Sequence, residues 1–203
     1  MARSDVQLML DVKAGDDASF EPLLRKYRTP LVNFLYRMVR DSAAAEDLAQ
    51  EVFLRVYRAR KDYLPSAKFT TWMFRIATNL ALNAKRDGRY RQIEVPVDQP
   101  ADSESDLPAL EIADTQPTVE HELIIRDRAA MIRRAVEALP EKQRVAVLLH
   151  KYQEMDYDDI AKVLNCSESA LKSLLFRAYQ TLRVELAPLV EPSGPAKARC
   201  GRE

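Results

Sequence analysis

Hydrophobic residues recur at three- and four-residue steps along most of this chain, the spacing that places them on one face of an α-helix. No stretch shows the sustained alternation of a half-buried strand, and only 4 of the 203 residues are glycine. The pattern therefore predicts an all-α fold made of two small helical domains.

Helix-breaking and capping residues divide this pattern into segments. The N-terminal part is predicted to form helices over Asp5–Ala14, Ala18–Met38, Ala43–Arg60 and from Thr70 or Thr71 to about Asp87. Gly15 and Gly88 are expected to end two of them, Pro30 to bend one, and Ser42 to cap one. The C-terminal part is predicted to form helices over Thr118–Ala138, Glu141–Lys151, Asp158–Leu164 and Glu168–Leu186.

Charge divides the chain in the same places, although its formal net charge is zero. Residues 1–92 carry a net charge of +6, residues 93–125 carry −9 with no Lys or Arg, and residues 126–203 carry +3. The acidic strip also contains four prolines, which indicates a flexible linker that is extended or partly disordered. The predicted organisation is a first domain over 1–92, a linker over 93–117, a second domain over 118–190 and a disordered tail over 191–203.

The last two predicted helices have the arrangement of a helix-turn-helix. Asn165 suits the left-handed end of the first helix, and Ser167 suits the N-cap of the second. Leu171, Leu175 and Ala178 begin an apolar stripe, and the opposite face presents Ser169, Lys172, Ser173, Phe176, Arg177 and Gln180. These side chain types contact bases and phosphates in the major groove. The alternative is an ordinary amphipathic helix with a solvated face.

Aromatic residues lead into amides and then into a basic cluster in the segment from Phe69 onward. Trp72 precedes Asn79 and Asn83, which are followed by Lys85, Arg86 and Arg89. Aromatic platforms beside cations hold unpaired bases and their backbone. The alternative for Trp72 is packing in the hydrophobic core, which we favour when that residue is considered alone.

Several of these segments together resemble a known family. The segments 47–53, 69–72 and 75–79, then 139–144 and 157–161, and finally 171–178 occur in the order and spacing found in bacterial sigma factors of the extracytoplasmic-function (ECF) group. The resemblance covers residues 5–92 and 118–187. It implies a σ2 domain and a σ4 domain that direct RNA polymerase to promoters, with no enzymatic activity and no cofactor or metal.

The resemblance also implies roles for individual residues. Docking on core RNA polymerase, through the β′ clamp helices, is assigned to Asp47, Gln50, Glu51, Phe53 and Leu54. Recognition of the −10 element is assigned to Trp72, Asn79, Asn83, Lys85, Arg86 and Arg89. Recognition of the −35 element is assigned to Ser169, Lys172, Ser173, Phe176 and Arg177. Further expected partners are the β flap of the polymerase, promoter DNA and an anti-sigma factor wedged between the two domains.

The second domain departs from the family at two positions. Family members commonly have arginine where this chain has Leu174 and Tyr179. If both arginines contact phosphates, the salt dependence of −35 binding should be shallower here by nearly one unit for each. Arg183 lies further along the same helix and is a possible replacement.

The predicted linker is long enough for the implied task. The acidic strip 93–125 has 33 residues, and a relaxed coil of that length has ends about 30 Å apart, with an extended limit of about 110 Å. Promoter elements two and a half turns apart are separated by about 85 Å. The linker would therefore be stretched when both domains bind DNA.

Other functional classes receive less support from the residues. Two cysteines, Cys166 and Cys200, are too few for a disulfide framework, and no apolar run approaches the ~20 residues needed to cross a membrane. His121 and His150 are the only histidines and show no metal-ligand spacing. We expect a cytoplasmic protein, with a stand-alone helix-turn-helix regulator and a sigma-mimicking decoy for an anti-sigma factor as alternatives.

Overall fold

The computed structural model describes residues 3–86 and 119–190. Within them, the helices are α1 Asp5–Ala14, α2 Phe20–Val39, α3 Ser42–Arg58, α4 Phe69–Arg86, α5 Val119–Ala138, α6 Glu141–Tyr152, α7 Tyr157–Leu164, α8 Glu168–Glu185 and α9 Ala187–Val190. Two short 3-10 turns cover Asp17–Ser19 and Ala59–Asp62. These ranges contain no strand, and the prediction of an all-α fold is confirmed.

The first domain is a bundle in which α2 packs along both α3 and α4. Aromatic side chains fill the space between these helices. Phe34 of α2 meets Phe74 of α4 edge-on with ring centroids 5.3 Å apart, and Tyr27 lies 5.5 Å from Phe69. Pro30 lies inside α2, and the bend expected there stays a prediction. Such aromatic pairs contribute both buried area and directional contact, so they fix how α4 lies in the bundle.

Local capping signals account for most of the helix ends. Gly15 ends α1 with a φ of 106°, a left-handed conformation that glycine adopts without a steric penalty. The predicted cap of α3 was one residue too late, because Asp41 and not Ser42 is the N-cap. The Asp41 carboxylate accepts a hydrogen bond of 2.8 Å from the Ala44 backbone N–H. The helix also ends at Arg58, two residues earlier than expected, where the chain tightens into the 3-10 turn.

The second domain has the predicted helix-turn-helix in α7 and α8. Asn165 ends α7 in the left-handed region at φ 50° and ψ 54°, and the Ser167 side chain accepts from the Ala170 backbone N–H at 3.2 Å. Behind them, the guanidinium of Arg144 is buried and donates to the carbonyls of Glu137 and Leu139 at 2.6 and 3.1 Å. These bonds hold the corner between α5 and α6, on which α8 packs.

The capping contact of α3 is testable by a pair of adjacent substitutions. Replacing Asp41 with alanine leaves the Ala44 N–H without its acceptor and should lower the free energy of unfolding by about 1 kcal/mol. Replacing the neighbouring, exposed Ser42 with alanine should change it by less than about 0.5 kcal/mol. Urea unfolding followed by circular dichroism measures both values. Equal effects of the two substitutions would contradict the assignment of Asp41 as the cap.

Candidate DNA-binding and polymerase-binding surfaces

Helix α4 has one buried side and one exposed side. Its buried side includes Met73, Phe74 and Ala77, which lie in the core of the first domain. The exposed side carries the predicted polar residues Asn79, Asn83, Lys85 and Arg86. Since residues three and four apart share a helix face, Asn79, Asn83 and Arg86 form one row along the surface. Within that row, the Arg86 guanidinium donates to the Asn83 side chain oxygen at 2.9 Å. Arg89 lies outside the described residues.

Trp72 lies at the margin of the core of the first domain and is partly buried. Its ring is 5.0 Å from that of Tyr63 and 6.2 Å from that of Phe69. Neighbouring aromatic rings thus already occupy part of its surface. Of the two interpretations that the sequence left open for Trp72, the structure favours packing over a free platform for an unpaired base.

The predicted polymerase-binding residues of α3 do not all share one environment. Asp47, Gln50 and Leu54 are exposed, and Leu54 is a large apolar side chain with 47% of its surface accessible. Glu51 is partly buried and accepts a hydrogen bond of 2.7 Å from Arg55. Phe53 is only 8% exposed and packs edge-on against Phe20 at 6.4 Å. The Phe53 side chain therefore belongs to the hydrophobic core, and its contact with the polymerase stays a prediction.

Helix α8 separates its apolar and polar faces as predicted. The stripe of Leu171, Leu175, Ala178 and Leu182 is buried, whereas Ser169, Lys172, Ser173, Phe176 and Arg177 are all exposed. Phe176 has 65% of its surface accessible, which is unusual for a phenylalanine on a helix with a well-packed stripe. Lys172 pairs with Glu168 at 2.7 Å, one turn earlier on the same helix. The exposed face therefore offers cations, hydroxyls and one aromatic ring to a partner.

The two domains contact each other directly, with α4 against α7 and α2 against α6. The Thr71 hydroxyl of α4 donates to the Asp159 carboxylate of α7 at 2.8 Å, and the Lys68 ammonium lies 2.9 Å from the same carboxylate. Burial alone would raise the pKa of Asp159, but the hydrogen bonds from Lys68 and Thr71 outweigh it and hold that pKa below its usual value. Lys68 also pairs with Asp156 at 2.7 Å.

This contact was not predicted from the sequence. Lys68 and Thr71 lie 88 residues before their partners Asp156 and Asp159, and no periodicity or spacing links them. The single local signal is the acidic pair Asp158 and Asp159 at the start of α7. Acidic residues are favoured at a helix N-terminus even when they have no other partner, so this signal does not indicate a contact with another domain.

Comparisons with known proteins agree with this division into two helical units. Residues 23–91 match the family model of Sigma-70 region 2, and residues 129–182 match that of Sigma-70 region 4. The RNA polymerase sigma-H factor of Pseudomonas aeruginosa is 31% identical over 189 residues, covering 92% of this chain and 95% of that protein. This chain belongs to the ECF sigma factors.

A second relative agrees with this assignment, and solved structures share the fold. The ECF RNA polymerase sigma-E factor of Escherichia coli K12 is 28% identical over 92% of this chain and 96% of its own length. The fold is similar to that of CnrH, solved in complex with the cytosolic domain of CnrY, with a TM-score of 0.67, 20% identity and coverage of 92% and 99%. It is also similar to the Bartonella quintana sigma factor RpoE, solved with the anti-sigma factor NepR, with a TM-score of 0.58, 23% identity and coverage of 83% and 96%.

This sigma factor departs from the family pattern at two positions of α8, and neither side chain lies on the exposed face of that helix. Leu174 and Tyr179 are both partly buried. The Tyr179 hydroxyl lies 2.7 Å from His150 Nδ1, and the His150 ring packs edge-on against Tyr157 at 5.2 Å. Burial, together with the nearby Lys151, lowers the pKa of His150 and favours its neutral form. Tyr179 thus joins α8 to α6, and this role differs from that of a phosphate-binding cation.

Neither a membrane-spanning helix nor a metal site is found among the described residues. None of their helices has both the length and the apolar content needed to cross a bilayer. They contain no group of three or more His, Cys, Asp or Glu side chains that is suited to a metal ion. Cys166, in the turn of the helix-turn-helix, is partly buried and reduced.

Adjacent residues of α3 allow the surface and core roles of this helix to be separated. Replacing Phe53 with alanine should lower the free energy of unfolding by about 3 kcal/mol, since the substitution leaves a cavity. Replacing Leu54 with alanine should leave stability within about 0.5 kcal/mol of the original but weaken binding to core RNA polymerase. Urea unfolding and fluorescence titration with core enzyme measure the two quantities. Unchanged core binding by the Leu54 variant would exclude this residue from the interface.

Proposed function

We propose that this sigma factor binds core RNA polymerase and directs it to promoters by recognising the −10 element with its first domain and the −35 element with its second. The observation that carries the proposal is the pair of outward-facing polar surfaces on α4 and α8. Each is backed by a buried apolar stripe of its own domain, so each is held rigidly while remaining available to DNA. The chain would act where core polymerase and the chromosome are, in the bacterial cytoplasm.

In the first domain, the row of Asn79 and Asn83 supplies amides that both donate and accept hydrogen bonds. An amide can pair with the edge of an unstacked base, and cations beside it neutralise the backbone. Lys85 and Arg86 follow within the same turn and would hold the phosphates. Strand opening would then be driven by the free energy of base capture, with no covalent step.

In the second domain, α8 would lie in the major groove. Lys172 and Arg177 suit phosphates or guanine, Ser169 and Ser173 suit either kind of group, and the exposed ring of Phe176 suits a thymine methyl group. The Arg177 guanidinium currently donates to the Ser173 carbonyl at 3.2 Å, and this bond can be exchanged for one to DNA. The polymerase would bind the third surface, which is formed on α3 by Asp47, Gln50, Glu51 and Leu54.

An anti-sigma partner is part of this proposal, because one similar fold has been solved with a partner described as such. The expected position of that partner between the domains conflicts with the contact between Thr71 and Asp159, which leaves no room for a polypeptide at this point. A partner that preserves the present arrangement would therefore bind around the outside of the two domains.

Reciprocal substitutions on α4 and α8 test the assignment of the two promoter elements. In transcription with bacterial core polymerase on a randomised promoter library, Asn79→Ala should relax or shift base preference at −10 and leave the −35 preference unchanged. Arg177→Ala should do the opposite. One lost bidentate or phosphate contact is worth about 1–3 kcal/mol, so selected promoters should lose roughly tenfold or more in activity.

Each of these variants is the control for the other, since both side chains are exposed and both substitutions should leave the fold intact. Sequencing of the transcript starts gives the two preferences separately. Loss of −35 preference in the Asn79 variant would overturn the assignment of α4 to −10. Absence of specific starts with the unchanged chain would overturn the proposed function itself.

A further inference from the structure

An open cleft lies between α6 and the C-terminal half of α8, beside the recognition face of α8. It holds about 530 Å³, which is enough for a small group rather than for a single water molecule. The cleft is lined by basic, aromatic and apolar side chains, namely His150, Lys151, Tyr179, Leu182, Arg183 and Leu186. None of these is a carboxylate, so the charge of the lining favours an anion.

His150 lies where three helices of the second domain meet. Its Nδ1 is 2.7 Å from the Tyr179 hydroxyl of α8, and its ring packs edge-on against Tyr157 of α7 at 5.2 Å. Because a hydroxyl can both donate and accept, the bond to Nδ1 can persist when the imidazole gains a proton. The other ring nitrogen, Nε2, has no hydrogen-bond partner among the residues that the structure describes. The contact with Tyr179 therefore orients the ring and leaves Nε2 for a ligand.

Two exposed cations border the same cleft. The side chains of Lys151 and Arg183 form no ion pair or hydrogen bond with another described residue. The charged and titratable groups that face His150 are Lys151 on its own helix, Tyr157 of α7, and Tyr179 and Arg183 of α8. Burial and the nearby Lys151 lower the pKa of His150, so the ring is neutral in the free protein at neutral pH. A bound anion would favour the protonated ring and raise that pKa.

The cleft borders one edge of the recognition face of α8. Steps of three or four residues link Lys172, Phe176, Tyr179 and Arg183, so these side chains form one strip along the helix. The bond between Tyr179 and His150 places this strip on the side of α8 that faces α6. An α-helix with its side chains is about 10–12 Å across, and the major groove is about 12 Å wide. The edges of a helix in that groove therefore lie next to the phosphate backbones, and a phosphate is the anion that this edge would meet.

We propose that His150, Lys151 and Arg183 form a proton-linked site for one backbone phosphate of the −35 duplex. As the phosphate binds, the His150 imidazole takes up one proton from solvent, and its Nε2–H donates to a phosphate oxygen while Tyr179 holds the other side of the ring. The inference rests on the proposed function, because it requires α8 to lie in the major groove. The site adds contacts from α6 to a recognition helix in which Leu174 and Tyr179 stand where arginine is common in the family.

Proton uptake distinguishes this site from a merely structural role of His150. Fluorescence anisotropy of a labelled promoter duplex, taken from the randomised library, gives the affinity of the complete holoenzyme from about pH 8 to about pH 6. Because phosphate binding raises the pKa of His150, the affinity should be highest below the pKa of the free protein and should fall as the pH rises through the pKa of the complex. We expect a change of about threefold or more, with a slope of no more than one proton.

The chain offers a matched control for this titration, since it contains a second histidine. His150→Gln should flatten the pH dependence, because an amide can accept the bond from Tyr179 but cannot take up the proton. His121→Gln should leave the pH dependence unchanged. Titration of the core polymerase is common to all three holoenzymes and cancels when their affinities are compared.

Neutral phosphate analogues identify the contact on the DNA. Methylphosphonates placed one at a time along the −35 element each remove a single charge. At one position, the analogue should weaken binding by the unchanged holoenzyme about tenfold and abolish its pH dependence. The same analogue should cost much less in His150→Gln, Lys151→Gln and Arg183→Gln, because they already lack part of that contact. The last two variants should each reduce the salt slope by nearly one unit, whereas Lys142→Gln, which removes an exposed cation from the other end of α6, should not.

The outcomes separate the phosphate site from the proposed function. Equal pH dependence in the unchanged and His150→Gln holoenzymes, or methylphosphonate effects that simply add to those of the variants, would overturn the site while −35 recognition stands. Weaker binding of the Lys151 and Arg183 variants to core polymerase, with DNA contacts unaltered, would also overturn it and assign the cleft to an acidic protein segment. Absence of specific promoter binding by the unchanged holoenzyme would overturn the proposed function and the phosphate site together.

Discussion

Helix α4 faces the core of the first domain, the second domain and solvent at the same time. The rest of the structure depends on which of its residues face each of them. Its residues advance about 100° around the axis at each step, so different positions face the core of the first domain, the second domain and solvent. Met73 and Phe74 are buried in the bundle, Thr71 reaches Asp159 of α7, and Asn79 and Asn83 remain exposed. The aromatic contacts with α2 determine the rotation of the helix, and that rotation in turn sets which side chains the second domain and DNA can reach.

Features that depend on neighbouring residues could be predicted from the sequence. The left-handed ends at Gly15 and Asn165 and the cap at Ser167 each need only the residue itself and the next turn of backbone. The two faces of α8 follow from helical periodicity in the same way. Even the error at Ser42 is local, because Asp41 and Ser42 are both good N-caps and only the extended backbone at Asp41 distinguishes them.

Features that depend on distant residues could not be predicted. Phe53 and Leu54 are adjacent apolar residues near the edge of the stripe on α3, and only the position of Phe20 shows which of the two is buried. The packing of Trp72 depends on Tyr63, which lies just before α4 in the chain and whose ring packs against that of Trp72. The interface between the domains depends on pairs almost ninety residues apart. Nothing in a single sequence shows that two positions so far apart are in contact, because tertiary packing determines those contacts.

The chemistry of the interface between the domains is suited to reversible contact. A large apolar interface would remain closed, because water offers no replacement for buried hydrocarbon. Hydrogen bonds and ion pairs behave differently, since water, phosphates or another protein can replace them at a small net change in free energy. Cations of the first domain face carboxylates of the second, and phosphates present the same charge as those carboxylates. Residues 1–92 and 126–203 both carry a net positive charge, so the attraction between the domains comes from these local ion pairs and not from their overall charges.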